Sequence, residues 1–462
     1  MPNEGVSIVF DKKSLTDYAN RERSAFESRL REFVETPSVS ADPAHNADIR
    51  KCAELAVATI REFGGQAEVL ETGGHPLVHG RFDGGKGRKT VTVYNHLDVQ
   101  PASRETEPWK TDPFTFVKQG DRYLGRGTTD DKGPALSALW GARAAREAGV
   151  PVNVNVLWEL EEEIGSPNFE SGIKKHAKKL ATDHVIVSDT IWVSRDRPAC
   201  PAGLRGLQGF TLSLEVGETD QHSGVTGGAA RNPIGELMKL VSEMYDAQTG
   251  EVKMKGFYDG VVKPSRNEIS DFRRSGFSVK QFKKDHLFKT IRTNNPIEVM
   301  KRIWAMPTFE VHGLVGGYTG PGIKTIIPPS AEVKISCRLV PNQDPKNIID
   351  LVRKFVKKHN PDVKVTLENS MYPYLAPTTG PLADAVKNAM KFAFGREPVF
   401  VREGGSIGAV TSMEQVLKCP VVFLGLSLPE HGYHAPNENF DWQQASGGMA
   451  AFAKYFEIVA GM

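Results

Sequence analysis

Four cysteines in 462 residues are too few and too far apart to frame this chain. Cys52, Cys200, Cys337 and Cys419 form no C-x-x-C pair and no plausible disulfide network for a chain of this length. A reducing cytoplasm is the simplest setting. Charge of one sign is also missing. The 58 basic and 56 acidic residues leave +2, which gives no reason to expect nucleic acid or an anionic membrane as partner. No apolar run approaches the length of a membrane span. The opening "MPNEGVSIVFDKK" lacks a basic stretch followed by an apolar one, so no secretory signal is expected. Internal repeats and low-complexity tracts are absent too. What remains is ordinary for a soluble globular protein: 39% hydrophobic and 25% charged residues, in a chain long enough for two domains.

Apolar spacing predicts helices over 14–35, with Ser14 as cap, and over 47–63, ended by Gly64 and Gly65. "KTVTVYNHLDVQP" begins as a strand. "PFTFVKQGDRYLGRG" reads as a hairpin turning at Gln119-Gly120-Asp121. "DKGPALSALWGARAAREAG" is a helix with Pro134 in its first turn and Gly149 beyond its end. "VNVNVLW" and "HVIVSD" are short strands around a helical segment. Strands alternating with helices predict an α/β layer with a largely parallel sheet. After about residue 205 the style changes. "FTLSLEVG" and "AEVKISCRLVP" alternate like half-exposed strands, 346–358 is an amphipathic helix, and 250–310 shows little periodicity. This predicts an α+β unit whose sheet has one open face. Near residue 380 the first style returns, with a helix at 381–394 and the strands "PVFV" and "PVVFLGL". The expected organisation is one α/β domain, residues 1–205 plus 380–462, interrupted by an inserted α+β domain, residues 206–379.

Acidic and imidazole groups recur just after apolar strands. His96 and Asp98 follow the first, Glu161, Glu162 and Glu163 the second, and Asp189 the third. His434 follows "PVVFLGL", and Asp130 and Asp131 open a helix in "GRGTTDDKG". In open α/β sheets the carboxyl ends of the strands share one edge, where ligand sites form. Buried anions there need compensation. Two Zn²⁺ with three carboxylates leave +1, and a hydroxide brings the cluster to zero. Each piece alone has a plainer reading. His96 could be an ordinary histidine, "GRGTTDDKG" a capped turn, "ELEEEIGS" a solvated acidic face, and Asp189 a helix cap. Only the joint occurrence favours a metal site, and the residues alone do not choose between Asp130 and Asp131 or among the three glutamates.

Read together and in order, "HLDVQP", "GRGTTDDKG", "EEEIGS", "VSD" and "YHAPNE" resemble the di-metal peptidase family of carnosinases, cytosolic non-specific dipeptidases, aminoacylases and glutamate carboxypeptidases. The motifs run from residue 96 to 438, most of the chain. The resemblance implies His96 and Asp189 as ligands to one metal, Glu163 and His434 as ligands to the other, and Asp130 bridging both. Asp130 is chosen because the family reads Asp-x-Lys-Gly. Glu162 and Glu163 are chosen because the family pair lies just before x-Gly-Ser. Asp98 resembles the catalytic aspartate and Glu162 the general base. A cis peptide between Asp130 and Asp131 is implied as well. "DQHSGVTGG", "GIKTIIP", "SCRLVP" and "REGGSIG" resemble the carnosinase and non-specific dipeptidase branch, which points to His222, Thr325, Arg338 and Ser406 as substrate contacts. Their plainer readings are a turn histidine, a strand threonine, and an arginine paired with a surface acid.

The resemblance therefore implies a metal-dependent dipeptidase with a bridging hydroxide and a glutamate general base. The inserted domain would act as lid and dimerisation domain of a homodimer. Two divalent metals per subunit are expected, zinc first, with manganese or cobalt as the other fits. Arg338 suits a bidentate grip on a dipeptide's C-terminal carboxylate. Asp98 would orient His96. The alternative within the same metal chemistry is a deacylase of N-acyl amino acids.

Overall fold

The computed structural model describes residues 10–462. Residues 1–9, most of the segment read above as lacking a secretory signal, lie outside the described residues.

A six-stranded sheet organises the α/β part. Its order is Gln66–Leu70, Leu77–Phe82, Asn153–Glu159, Thr90–His96, His184–Val187 and Val421–Phe423. The last four strands are mutually parallel, while Leu77–Phe82 runs antiparallel to both of its neighbours, so the sheet is mixed. Thr90–His96 sits between two parallel partners and is buried on both faces. Successive side chains point to opposite faces of a strand, and each face meets its own core. Val91, Val93, Val156, Trp158 and Ile186 join one core with the helices Lys12–Val34, Asn46–Glu62, Lys132–Glu147 and Trp442–Ala460. Tyr94, Leu157, Val185 and Val187 join the other with Phe169–His176 and Gly408–Leu417. Two of the polar residues in this layer accept bonds from neighbouring segments: Asn155 Oδ1 from Arg81 Nη1 at 3.1 Å, and Asn153 Oδ1 from Gly84 N at 2.9 Å.

A four-stranded antiparallel sheet has its own core. The order is Thr308–Val315, Ser330–Leu339, Gly206–Glu215 and Lys364–Met371. Along Ser330–Leu339, Ala331, Val333, Ile335, Cys337 and Leu339 are buried, while the intervening Glu332, Lys334, Ser336 and Arg338 are at least partly exposed. The buried face packs with residues of the helices Pro233–Met244 and Pro345–His359. The alternating pattern read in the sequence thus marks a sheet with one covered face.

The segment 250–310, unreadable by period, contains helices Arg266–Arg274, Val279–Asp285 and Pro296–Met300. Phe272, Met300 and Trp304 pack into the core of the α/β part rather than that of the four-stranded sheet. Glu268 pairs with buried Arg402 at 2.7 Å. The first helix begins at Lys12, and its cap is Asp11, not Ser14: the Asp11 carboxylate accepts the Ser14 N–H. The hairpin at Gly120 forms as expected, with Val117–Gln119 against Arg122–Leu124. All four cysteines are free and buried. No described helix is long and apolar enough to cross a membrane.

Candidate metal centre

Parallel pairing aligns the strand ends that matter. His96 lies opposite Glu159, and Tyr94 opposite Val187, so the segments beginning at Leu97, Leu160 and Ser188 leave the sheet along one edge. His96 is buried at the tip of its strand. Its Nδ1 lies 3.1 Å from the Asp98 carbonyl, and its Nε2 lies 3.0 Å from Asp130 Oδ1 and 3.9 Å from Asp189 Oδ2. On the other side of Asp130, His434 Nε2 stands 3.0 Å from Asp130 Oδ2 and 3.2 Å from Glu163 Oε2. One carboxylate therefore meets a different imidazole through each oxygen.

Asp98 fixes the two glutamates. Its Oδ1 accepts the Glu162 N–H at 3.1 Å and its Oδ2 the Glu163 N–H at 3.0 Å. Gln100 Nε2 donates to Glu163 Oε2 at 2.7 Å, and Tyr433 Oη to Asp189 Oδ1 at 3.1 Å. Asp131 turns away from the imidazoles, taking Asn95 Nδ2 at 2.7 Å and the His96 N–H at 3.4 Å. The peptide bond between Asp130 and Asp131 is cis.

The electrostatics show an excess of anions. Burial pushes the carboxyls of Glu162 and Asp131 well up, with Asp189 adding to both. Burial and Asp130 raise Glu163, and burial raises Asp189 to about 6. Burial alone would raise Asp130 also, but the His434 and His96 rings hold it below its ordinary value. The Asp130 and Glu163 carboxylates beside its ring raise His434 to about 11. Burial opposes charge on His96, yet Asp130 and Asp98 raise it well above the ordinary imidazole value. Such a cluster either takes up protons or takes up cations.

The residues fit divalent metal. Two groups have donor atoms mutually within 4.8 Å: His96 with Glu162 and Asp189, and His96 with Asp130 and Glu163. Ligands about 2.0–2.1 Å from a tetrahedral zinc lie roughly 3.3 Å apart. The spacings of 3.0 and 3.2 Å around His434 match that edge. Asp130 Oδ2 accepts no hydrogen bond despite the nearby ring, as expected of two donors facing a common ion rather than each other. The donor set is nitrogen and oxygen, which suits zinc, manganese or cobalt.

A model of peptidase family M20/M25/M40 matches residues 92–458. The chain belongs to this family. The Cys-Gly metallodipeptidase dug1 of Schizosaccharomyces pombe is 32% identical over 96% of this chain and 98% of its own. The Beta-Ala-His dipeptidase of Homo sapiens is 28% identical over 95% of this chain and 91% of its own. The solved structure of the di-peptidase Dug1p from Saccharomyces cerevisiae superposes with a TM-score of 0.83 at 28% identity, covering 98% of this chain and 99% of that one.

The remaining site residues of this M20/M25/M40 peptidase form two separate pairs. Arg338 Nη1 donates to Ser406 Oγ at 2.9 Å, and no ion pair of Arg338 is found among the described residues, contrary to the surface-pair reading. His222 and Thr325 adjoin through a two-strand ladder, Gln221–His222 with Ile326–Ile327. Both are exposed; Thr325 lies just outside the strand, and the His222 ring accepts the Gly224 N–H at 2.9 Å. The hydrogen bonds of the described residues do not link this pair to the His96–His434 cluster.

Sequence reasoning missed the support of the site. Buried Glu438 accepts from Gly127 N, Thr129 N and Asp130 N at 2.9–3.1 Å and from Arg126 Nη1 at 2.9 Å. It holds the backbone that presents Asp130. Its signal was present, as the last acid of "YHAPNE", but nothing local reveals the four donors. Glu403 was also missed: it ends the strand Val399–Glu403, and burial raises its carboxyl to about 8, with Asp189 and Asp130 contributing.

Proposed function

We propose that the chain is a di-metal dipeptidase. His96 and Asp189 hold one cation, Glu163 and His434 the other, and Asp130 both. The observation that carries this reading is Asp130, whose two oxygens each face a different histidine at 3.0 Å. Two divalent ions there supply Lewis acidity, which acidifies water near neutral pH and polarises a carbonyl. Glu162, whose carboxylate lies beside the donors of His96 and Asp189, serves as the proton carrier. It takes a proton from the attacking water and delivers it to the departing amide nitrogen. Asp98 keeps that carboxylate in place by holding the Glu162 and Glu163 N–H groups, and it orients His96. Arg338 and Ser406 bind the C-terminal carboxylate of the substrate.

In the same reading, residues 206–379, apart from the stretch around residues 272–304 that packs into the α/β core, form a lid and dimerisation domain on a catalytic body of residues 1–205 plus 380–462. His222 and Thr325 reach the active site of the partner subunit in a homodimer. Their exposure and distance from the metal cluster in the bonding network support this. So does the edge strand Thr308–Val315, which presents Val311, Leu314 and Val315 to solvent. Zinc is the proposed metal and the cytoplasm the proposed compartment, which four free cysteines favour.

Dipeptide hydrolysis is preferred over N-acyl amino acid hydrolysis because relatives matched over almost the whole chain are named dipeptidases. A panel of unmodified dipeptides and acetyl-amino acids, assayed with zinc, manganese and cobalt, tests it. Cleavage of dipeptides with acetyl-amino acids left intact is expected; the reverse pattern would replace this reading by the deacylase.

A further inference from the structure

Two arginines meet at one short loop with no carboxylate within ion-pair distance among the described residues. Arg205 is tied to Gly404–Ser406 three times: its N–H donates to the Gly405 carbonyl at 3.0 Å, its Nε to the Gly404 carbonyl at 3.1 Å, and its own carbonyl takes the Ser406 hydroxyl at 2.5 Å. The same Ser406 oxygen accepts Arg338 Nη1 at 2.9 Å. The two guanidiniums are thus anchored two residues apart on one loop. The other recorded bond of the Arg205 side chain goes to the Arg302 carbonyl at 3.4 Å, so every partner is neutral.

Neither arginine has a carboxylate within ion-pair distance among the described residues. Glu310 attracts Arg205 only from farther off. Burial, with the charge of Arg338, pushes Arg205 down to about 10, and burial lowers Arg338. A like-charged, partly desolvated pair is costly unless an anion joins it. Both line a cavity of about 1130 Å³ between the four-stranded sheet and the 249–306 segment. Six Lys or Arg side chains and three Glu side chains border it. Lys301 and Glu298 cancel as a pair at 2.8 Å, leaving five against two. The cavity is therefore cationic where it meets Arg338, the arginine proposed to hold a substrate carboxylate. A single α-carboxylate neutralises one guanidinium and leaves the other unsatisfied.

We propose that Arg205 is a specificity residue for a second substrate anion. Arg338 with Ser406 takes the α-carboxylate, and the free edge of Arg205 takes the side-chain carboxylate of a C-terminal Glu or Asp. The substrates favoured are then dipeptides with an acidic second residue. This rests on the dipeptidase reading for its first assay but not for its second.

The first assay compares kcat/KM for Ala-Glu and Ala-Gln, which differ little in shape and by one charge. Wild type is expected to favour Ala-Glu by about tenfold or more, the scale of one charge-assisted hydrogen bond. Arg205→Gln should bring the ratio to about one, and Arg205→Lys should restore part of it. Equal rates in wild type, or a variant that slows both substrates with an unchanged ratio, overturn the proposal; the latter would mark Arg205 as support for the loop alone. The second assay titrates the full chain calorimetrically with N-acetylglutamate and N-acetylglutamine. Tighter binding of the former, lost in Arg205→Gln, is expected, and equal binding refutes the subsite. If no dipeptide is cleaved but the titration discriminates, the dipeptidase reading fails and the anion subsite stands.

Discussion

Glu438 offers a quantitative test of how the centre is held. Its Oε1 accepts the N–H groups of Thr129 and Asp130, and its Oε2 those of Gly127 and Arg126, all fully buried. Glu438→Gln keeps the volume. The amide oxygen can serve Thr129 and Asp130, but the NH₂ group must then face two other donors. One lost bond involves a charged group and one a backbone N–H, so the cost is about 3–6 kcal/mol. That compares with a total stability of the order of 5–15 kcal/mol. Part of this cost falls on the loop that presents Asp130, and each 1.4 kcal/mol is tenfold in affinity. Chelator competition should therefore show metal binding weakened by at least about tenfold, together with a lower denaturation midpoint. Glu430→Gln is the control. Glu430 pairs with Arg195 at the surface, where both side chains are more than one-third exposed, and loss of such a pair costs about 1 kcal/mol or less. Metal affinity in Glu438→Gln within threefold of the control would refute the idea that this carboxylate organises the Asp130 backbone.

Glu162→Gln should lower kcat by roughly 10²-fold or more while retaining metal, whereas Glu163→Gln should lose metal; equal metal loss in both, by elemental analysis, would reverse the assignment. His184 lies buried with Nε2 2.7 Å from the Tyr455 hydroxyl, and burial holds its pKa near 4, below the ordinary 6.5. Its folded pKa is depressed, so its contribution is whole above pH 6.5 and lost as pH falls through 4, about 3 kcal/mol in all. Urea denaturation of wild type and His184→Gln across pH 7 to 4 should show the wild-type advantage shrinking by about that amount; a constant difference contradicts a buried neutral ring. Mixing Glu162→Gln with His222→Ala under subunit exchange should restore activity towards half the wild-type value per mixed dimer; no restoration would mean that His222 serves its own subunit.

How much the sequence reveals depends on what stabilises each element. Strands with a core on each face, such as Thr90–His96, stand out because most of their side chains must be buried, and their ends mark the edge where charged groups gather. The short helices of 250–310 do not stand out. They begin at local caps, the reciprocal Ser265–Glu268 pair, Ser278, and Asn295 before Pro296, rather than on an apolar stripe. Lys364–Met371 is mostly exposed and is held by pairing with Gly206–Glu215, so it carries no alternation. Within the centre, sequence neighbours look alike until their bonds are known. Asp131 is occupied by Asn95 and the His96 N–H, and Asp130 is left between the rings. Glu438 and Gln100 act on groups hundreds and tens of residues away, which no local pattern encodes.

The central claim is that one carboxylate, Asp130, serves two cations. Elemental analysis of the purified chain after zinc reconstitution tests it most directly, with wild type, Asp130→Asn, His96→Ala and His434→Ala side by side. The account predicts two metals per wild-type chain, one in each histidine variant, and near-complete loss in Asp130→Asn. A wild-type content of one or none, or an Asp130→Asn chain that keeps both, would contradict it.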